Sequence, residues 1–321
     1  MVRGLSLHAA VRRAGLDWDY TIIGSAPLSA LAERMRVTYR HIPTERDPRA
    51  LHEFLLHHPP DILIVDLAWY LVSDVLSALQ CRKVLLIRMV PPVYFSIPRG
   101  GREPLELDPD AWDAVFTIEP FECPFPTVET DPVLIRNVNE LLCPAEARRG
   151  LLRDREDDGR PVCLFAMNGK PGELDDARKS YAYLEDDYHV VYTTNYAGGL
   201  FPAMDYYPGA DLVVCGAGYN AFWETRACGV PSVYIPQERR LDRQDLRVRH
   251  YSDRTPAGNG ADQIIANLYQ HYHHHGVFLK PAARSEGRLS YAVQYERMAE
   301  EAAETAEWRE WDGTAGDGLE D

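Results

Sequence analysis

The segment ADLVVCGAGYNAFWETRACGVPSVYIP, residues 210–236, restricts what this chain can fold into more than any other stretch. An apolar run stops at Cys215, and a loop containing Gly216 and Gly218 follows at once. A helix-compatible stretch starts near Tyr219 or Asn220, carries Glu224 in its first turns, and gives way at Gly229 and Pro231 to a second apolar run. Two short apolar strands joined through a helix make a parallel pair, because only a crossover returns the chain to the same end of the sheet. Parallel strands need cover on both faces, so this unit commits the chain to an α/β layer structure.

The same alternation extends along the sequence. LSLHAAVRRAG (5–15), ALAERM (30–35), PRALHEFLLHH (48–58) and VSDVLSALQ (72–80) read as helices. DYTIIGS (19–25), DILIVDLAW (61–69), KVLLIRMV (83–90) and AWDAVFTIEP (111–120) read as strands between them. Residues 129–160 then turn charged and hold one short helix, PAEARRGLL, before a second series opens at PVCLFAMNG (161–169). Helix DDARKSYAYL (175–184) and strand HVVYTTN (189–195) lead into the 210–236 unit. The expected organisation is an N-terminal Rossmann-like domain over 1–138 and a second over 139–300. Residues 301–321 hold the acidic end of a final helix, SYAVQYERMAEEAAETAEW (290–308), and a tail rich in glycine and acidic residues. A chain of 321 residues is long enough for two such cores.

Composition narrows the partners. A formal net charge of −15 opposes general affinity for nucleic acid or anionic membranes. No apolar run reaches the roughly 18–20 residues of a membrane helix, which leaves peripheral association as the open membrane reading. The six cysteines are scattered without a C-x-x-C pair, the pattern of reduced core residues in a cytoplasmic protein.

Ligands of open parallel sheets bind at the carboxyl ends of the strands. Gly216 and Gly218 let backbone N–H groups approach a ligand closely, and the helix after them adds a positive dipole end suited to phosphate oxygens. Glu224 suits the vicinal hydroxyls of a sugar. The loop after the next strand, ERRLDRQD (238–245), opens on the same sheet edge, so Asp242, Gln244 and Asp245 are expected across the crevice from the glycines. Arg239, Arg240, Arg243, Arg247 and Arg249 form a local basic run, either a contact for phosphates and an anionic acceptor or an exposed helix face.

Residues 210–249 resemble the donor-binding segment of glycosyltransferases with the GT-B fold, the family-28 and UDP-glycosyltransferase group, and within it the N-acetylglucosaminyltransferases that make lipid II. The resemblance rests on Ala210-Asp211, the Cys-x-x-Gly loop Cys215–Gly218, Glu224, Gly229-x-Pro231 and Asp242-Arg243-Gln244. It implies two Rossmann-like domains facing a cleft, and transfer of a sugar from a nucleotide donor, most simply a UDP-sugar, to an acceptor. It further implies inversion at the anomeric carbon without a metal. Glu224 takes the ribose in this reading, while Gln244 and Asp245 take the donor sugar. Gly216, Gly218, Tyr219, Asn220 and Arg243 line the diphosphate end. FAMNGKPG (165–172) falls where the family has another glycine-rich loop, which adds Asn168 and Gly169.

The beginning of the chain departs from that family. MVRGLSLHAAVRRAG looks like the family's first helix, whereas the strand, glycine loop and basic histidine that precede it there are expected upstream of Met1. Within the given residues, Asp66 is the candidate base, with a helix cap or turn as its other reading; His8 lies inside the helix and reads as packing. The D-x-D triplets at 17–19 and 108–110 and the histidines of HYHHH (271–275) do not compose a metal site. A hydrolase or epimerase of nucleotide sugars, or a non-catalytic subunit that binds them, are the alternative functions.

Overall fold

A computed structural model describes residues 2–274 except 27, 45–46, 100–101, 154, 156, 195–198 and 240. The chain divides into two compact units. One is Arg3–Asp131 together with the helix that starts at Gly260, and the other is Pro132–Asn259. The boundary expected at 138 thus falls after Asp131, and the helix from Gly260 returns to the first unit rather than closing the second.

The first unit opens with α1 (Val2–Arg13), β1 (Thr21–Gly24), α2 (Ser29–Arg34) and β2 (Thr38–His41), and β1 and β2 pair in parallel. Helix α3 (Arg49–His57) leads to β3 (Ile62–Asp66) and β4 (Arg82–Ile87). A small antiparallel hairpin, β5 (Ser96–Arg99) with β6 (Arg102–Glu106), precedes β7 (Ala114–Thr117) and β8 (Val128–Glu129). The order β3-β4-β7-β8 is parallel throughout. Val84, Leu85, Leu86 and Ile87 of β4 are wholly buried, as a continuous apolar run requires in a strand covered on both faces. Helix α1 packs Gly4 against Ile22 of β1, and Nε of Arg3 donates to both carboxylate oxygens of Asp66 at 2.7 Å. That pairing, with Arg3 only 2% exposed, gives Asp66 a structural task at the end of β3. His8 stands mid-helix, its ring 5.4 Å from that of Tyr20.

The second unit contains α4 (Pro144–Leu152), β9 (Val162–Ala166), α5 (Pro171–Ser180), α6 (Leu184–Asp187), β10 (His189–Thr193), β11 (Leu212–Gly216), α7 (Tyr219–Cys228), β12 (Ser232–Ile235) and α8 (Gln244–Tyr251). Its sheet runs β10-β9-β11-β12, all parallel. Cys163, Phe165 and Val214 point into one core with Met167, Ala177 and Val190. The last described element, α9 (Gly260–His274), begins at a glycine because a Cβ there would stand 1.9 Å from the carbonyl oxygen of Asp131. Arg13 on α1 donates to Asp262 on α9 within the first unit. No helix among the described residues is long and apolar enough to cross a membrane.

Several local expectations change. The segment 72–80 holds only a 3₁₀ turn at Leu76–Ala78 in place of a helix. Two β-branched residues, Val72 and Val75, disfavour the helix, and the hydroxyl of Ser73 bonds back to the Tyr70 carbonyl. The preceding turn is also pinned, since Trp69 donates to the carbonyl of Tyr94, whose hydroxyl donates to that of Leu67. Strand β2 went unread because its sequence, TYRH, is mostly exposed and shows no apolar face. The hairpin of β5 and β6, interrupted by Pro98, also escapes a periodicity reading. The final helix expected over 290–308, the tail and His275 lie outside the described residues; His271 is on α9.

Candidate functional site

At the carboxyl edge of the second sheet, Ala166 of β9 lies in register with Cys215 of β11, and Gly216 with Ile235 of β12. The three following loops therefore leave the sheet side by side. Gln237, after β12, bridges the first two: a Cβ built on Gly169 would lie 2.4 Å from its Nε2, and one on Gly216 would lie 3.6 Å from its Oε1. A Cβ on Gly218 would stand 3.8 Å from Nε2 of Gln244. Gly169, Gly216, Gly218 and Gln244 thus lie near one another, joined by Gln237, which had no signal of its own in the sequence.

Helix α7 starts directly after Gly218, has no acidic residue in its first turn, and ends at Gly229, which adopts the left-handed conformation at φ 65°. Its free N–H groups and dipole are left uncompensated by its own sequence, a condition suited to an anion. Glu224 lies one to two turns in. Its side chain is 6% exposed and its carboxyl meets no hydrogen-bond donor among the described residues. Burial pushes that carboxyl up to about 8, and the negative charge of Asp205 adds to the effect. Asp205 is itself raised by burial, although Arg136 donates to it at 3.3 Å. Removing a carboxyl from water without giving it donors is costly, and such a group is a recognisable feature of ligand sites.

The loop after β12 is tied to the glycine loop by a buried network. Arg247, wholly buried, donates from Nη1 to the carbonyl of Ala217 at 3.0 Å and from Nη2 to Oδ1 of Asp242 at 2.7 Å. Gln244 donates to Oδ2 of Asp242 and accepts the backbone N–H of Gln237 at 3.0 Å. The amide of Gln244 is therefore held in one orientation beside Gly218.

Other assignments shift. Tyr219 is buried, with its hydroxyl accepting the N–H of Val133 at 2.7 Å and its ring beneath Arg247, so it serves the scaffold. The basic run does not form one face, because Arg247 is internal, Arg239 binds Glu173 and Arg243 pairs with Asp245. Asp245 is half exposed, and the Arg243 hydrogen bond holds its carboxyl below the ordinary range. Asn220 lies on the first turn of α7 and Asn168 on the loop after β9. Asp205 and Arg136 were not singled out in the sequence, since nothing in its spacing brings them towards Glu224. No group of three or more His, Cys, Asp or Glu among the described residues is placed to hold a metal ion.

Residues 172–252, from α5 through α8, match the glycosyltransferase family 28 C-terminal domain. No curated protein matches the chain in sequence. Among solved structures, the spinosyn forosaminyltransferase SpnP is similar with a TM-score of 0.50 and 14% identity, over 83% of this chain and 85% of that one. The SsfS6 glycosyltransferase of Streptomyces sp. SF2575, complexed with thymidine diphosphate, gives 0.48 and 14% over 73% and 78%. MurG of Acinetobacter baumannii gives 0.43 and 12% over 83% and 86%. The chain has the α/β fold of GT-B glycosyltransferases, and its residues 172–252 resemble the family-28 C-terminal domain.

Proposed function

We propose that this chain, with its family-28-like domain on a GT-B fold, moves a sugar from a nucleotide donor, most simply a UDP-sugar, onto an acceptor hydroxyl. The observation that carries the reading is Glu224, a buried carboxyl with no hydrogen-bond donor among the described residues, beside a glycine loop and a helix start without a side-chain cap. Ribose hydroxyls supply the missing donors, and the carboxylate that accepts them is stabilised relative to its protonated form. The backbone N–H groups at the start of α7, from Gly218 to Asn220, face the diphosphate, and the α7 dipole favours the charge that grows as the nucleoside diphosphate departs. Gln244, fixed by Asp242 and Gln237, presents its amide to the donor sugar. A leaving group stabilised by backbone and dipole needs no metal, and single displacement on such a site inverts the anomeric centre.

The test is to incubate the protein with UDP- and TDP-sugars, with and without a library of hydroxyl acceptors, and to follow nucleoside diphosphate release. Release that depends on an acceptor supports transfer. Equal release without any acceptor makes the protein a nucleotide-sugar hydrolase instead, and conversion to a new sugar nucleotide makes it an epimerase. Binding with no turnover in any arm assigns a non-catalytic binding role.

A further inference from the structure

The N-termini of α5 and α7 stand at the same carboxyl edge of the second sheet but are built differently. Glu173 sits in the first turn of α5, and its Oε2 accepts the N–H of Lys170 at 2.8 Å. The start of α5 thus carries its own carboxylate, whereas that of α7 carries none. Arg239, from the loop after β12, grips this carboxylate with both arms, Nη1 to Oε1 at 2.7 Å and Nη2 to Oε2 at 2.6 Å. The same Nη2 donates to Oε1 of Gln237 at 2.8 Å. Gln237 in turn lies against both Gly169 and Gly216, and its Nε2 is a buried donor with no acceptor among the described residues. A cation, a carboxylate and an unused amide donor are therefore stacked at the mouth of the two glycine loops.

We propose that Arg239 binds the donor's diphosphate and that Glu173 is the resident anion the diphosphate must displace from it. This rests on the nucleotide-donor reading above and adds a phosphate ligand, together with its built-in competitor. The planar fork of arginine fits a phosphate as it fits a carboxylate, so the exchange requires little rearrangement of the guanidinium. A diphosphate brings more charge than a carboxylate and oxygens enough to satisfy Gln237 Nε2 as well. Because the binding-competent arrangement first has to release Arg239 from Glu173, affinity for the diphosphate is lower than the site could deliver. The same competition works in reverse after transfer, when Glu173 recaptures Arg239 and the product nucleotide leaves more readily.

Calorimetry with UDP and TDP on the full chain tests this, comparing wild type with Glu173→Gln, Arg239→Gln and the double variant. Glutamine at 173 keeps an oxygen to accept the Lys170 N–H, so the helix cap survives while the charge is lost. Glu173→Gln is expected to bind the nucleoside diphosphate about tenfold more tightly, and Arg239→Gln about tenfold more weakly, on the scale of one charged hydrogen bond. The double variant should match Arg239→Gln, and uridine without phosphate should bind all four proteins alike. A Glu173→Gln protein that binds no more tightly than wild type overturns the proposal, as does a gain that persists when Arg239 is absent. If melting curves show Glu173→Gln to be unfolded, Glu173→Ala is judged by the same criteria. Absence of nucleotide binding in wild type and every variant would instead remove the donor-site reading itself.

Discussion

Glutamine in place of Glu224 is expected to raise the melting temperature at pH 8 while leaving it nearly unchanged at pH 5. In the folded protein the Glu224 carboxyl titrates near 8, through burial first and the charge of Asp205 second, against 4.5 as the ordinary value. Between those limits the unfolded chain has released the proton and the folded chain still holds it. The folded state is then the one that binds more protons, so its stability falls as pH rises through that window and levels off above 8. Each pH unit across the window is worth about 1.4 kcal/mol. Glutamine cannot ionise, so the variant escapes this loss. At pH 5 the comparison is between two neutral groups of similar shape. Melting curves from pH 5 to 9 read the effect directly, and identical pH profiles for the two proteins would mean that Glu224 is solvated or donor-bound in the free protein.

Methionine in place of Arg247 is expected to cost about 3–5 kcal/mol, the range for removing one partner of a buried ion pair. The substitution keeps most of the volume but takes the guanidinium from the Asp242 carboxylate, which is itself buried, and from the carbonyl of Ala217. Because Asp242 also orients Gln244, nucleotide-sugar affinity should fall with stability. Adding Asp242→Leu should restore much of the lost stability, since removing both charges leaves no buried ion, but it should not restore binding. Urea unfolding midpoints for the single and double variants decide this. A single variant within about 1 kcal/mol of wild type would show that the pair is dispensable to the fold.

Arg247 also marks where reading the sequence stops. In RRLDRQDLRVR it looks like one more solvated charge, and nothing local separates it from Arg249, which is exposed. Its burial follows from the turn that brings α8 back under the glycine loop, a contact with Ala217 thirty residues earlier. By contrast, the β11–α7–β12 unit was legible because each part has a local cause: an apolar run for each strand, glycines for the loop, and Gly229 to end the helix. The 3₁₀ turn at Leu76–Ala78 was misread because apolar spacing alone does not weigh Ser73 and the β-branched valines against a helix. Glu224 was visible as a residue type at a helix start. Its isolation from donors was not, because that depends on Asp205 and the packing around it. Glu173, Gln237 and Arg239 were unreadable as a group for the same reason, since their association is made by sheet order and not by spacing.

Binding of a nucleotide sugar to the second unit through Glu224 is decided by calorimetric titration of UDP- and TDP-sugars into wild type and Glu224→Ala. The predicted result is saturable binding to wild type, weakened in the variant by about 1.5–3 kcal/mol, the worth of a hydrogen bond to a charged group. Equal affinity in the two proteins would contradict it.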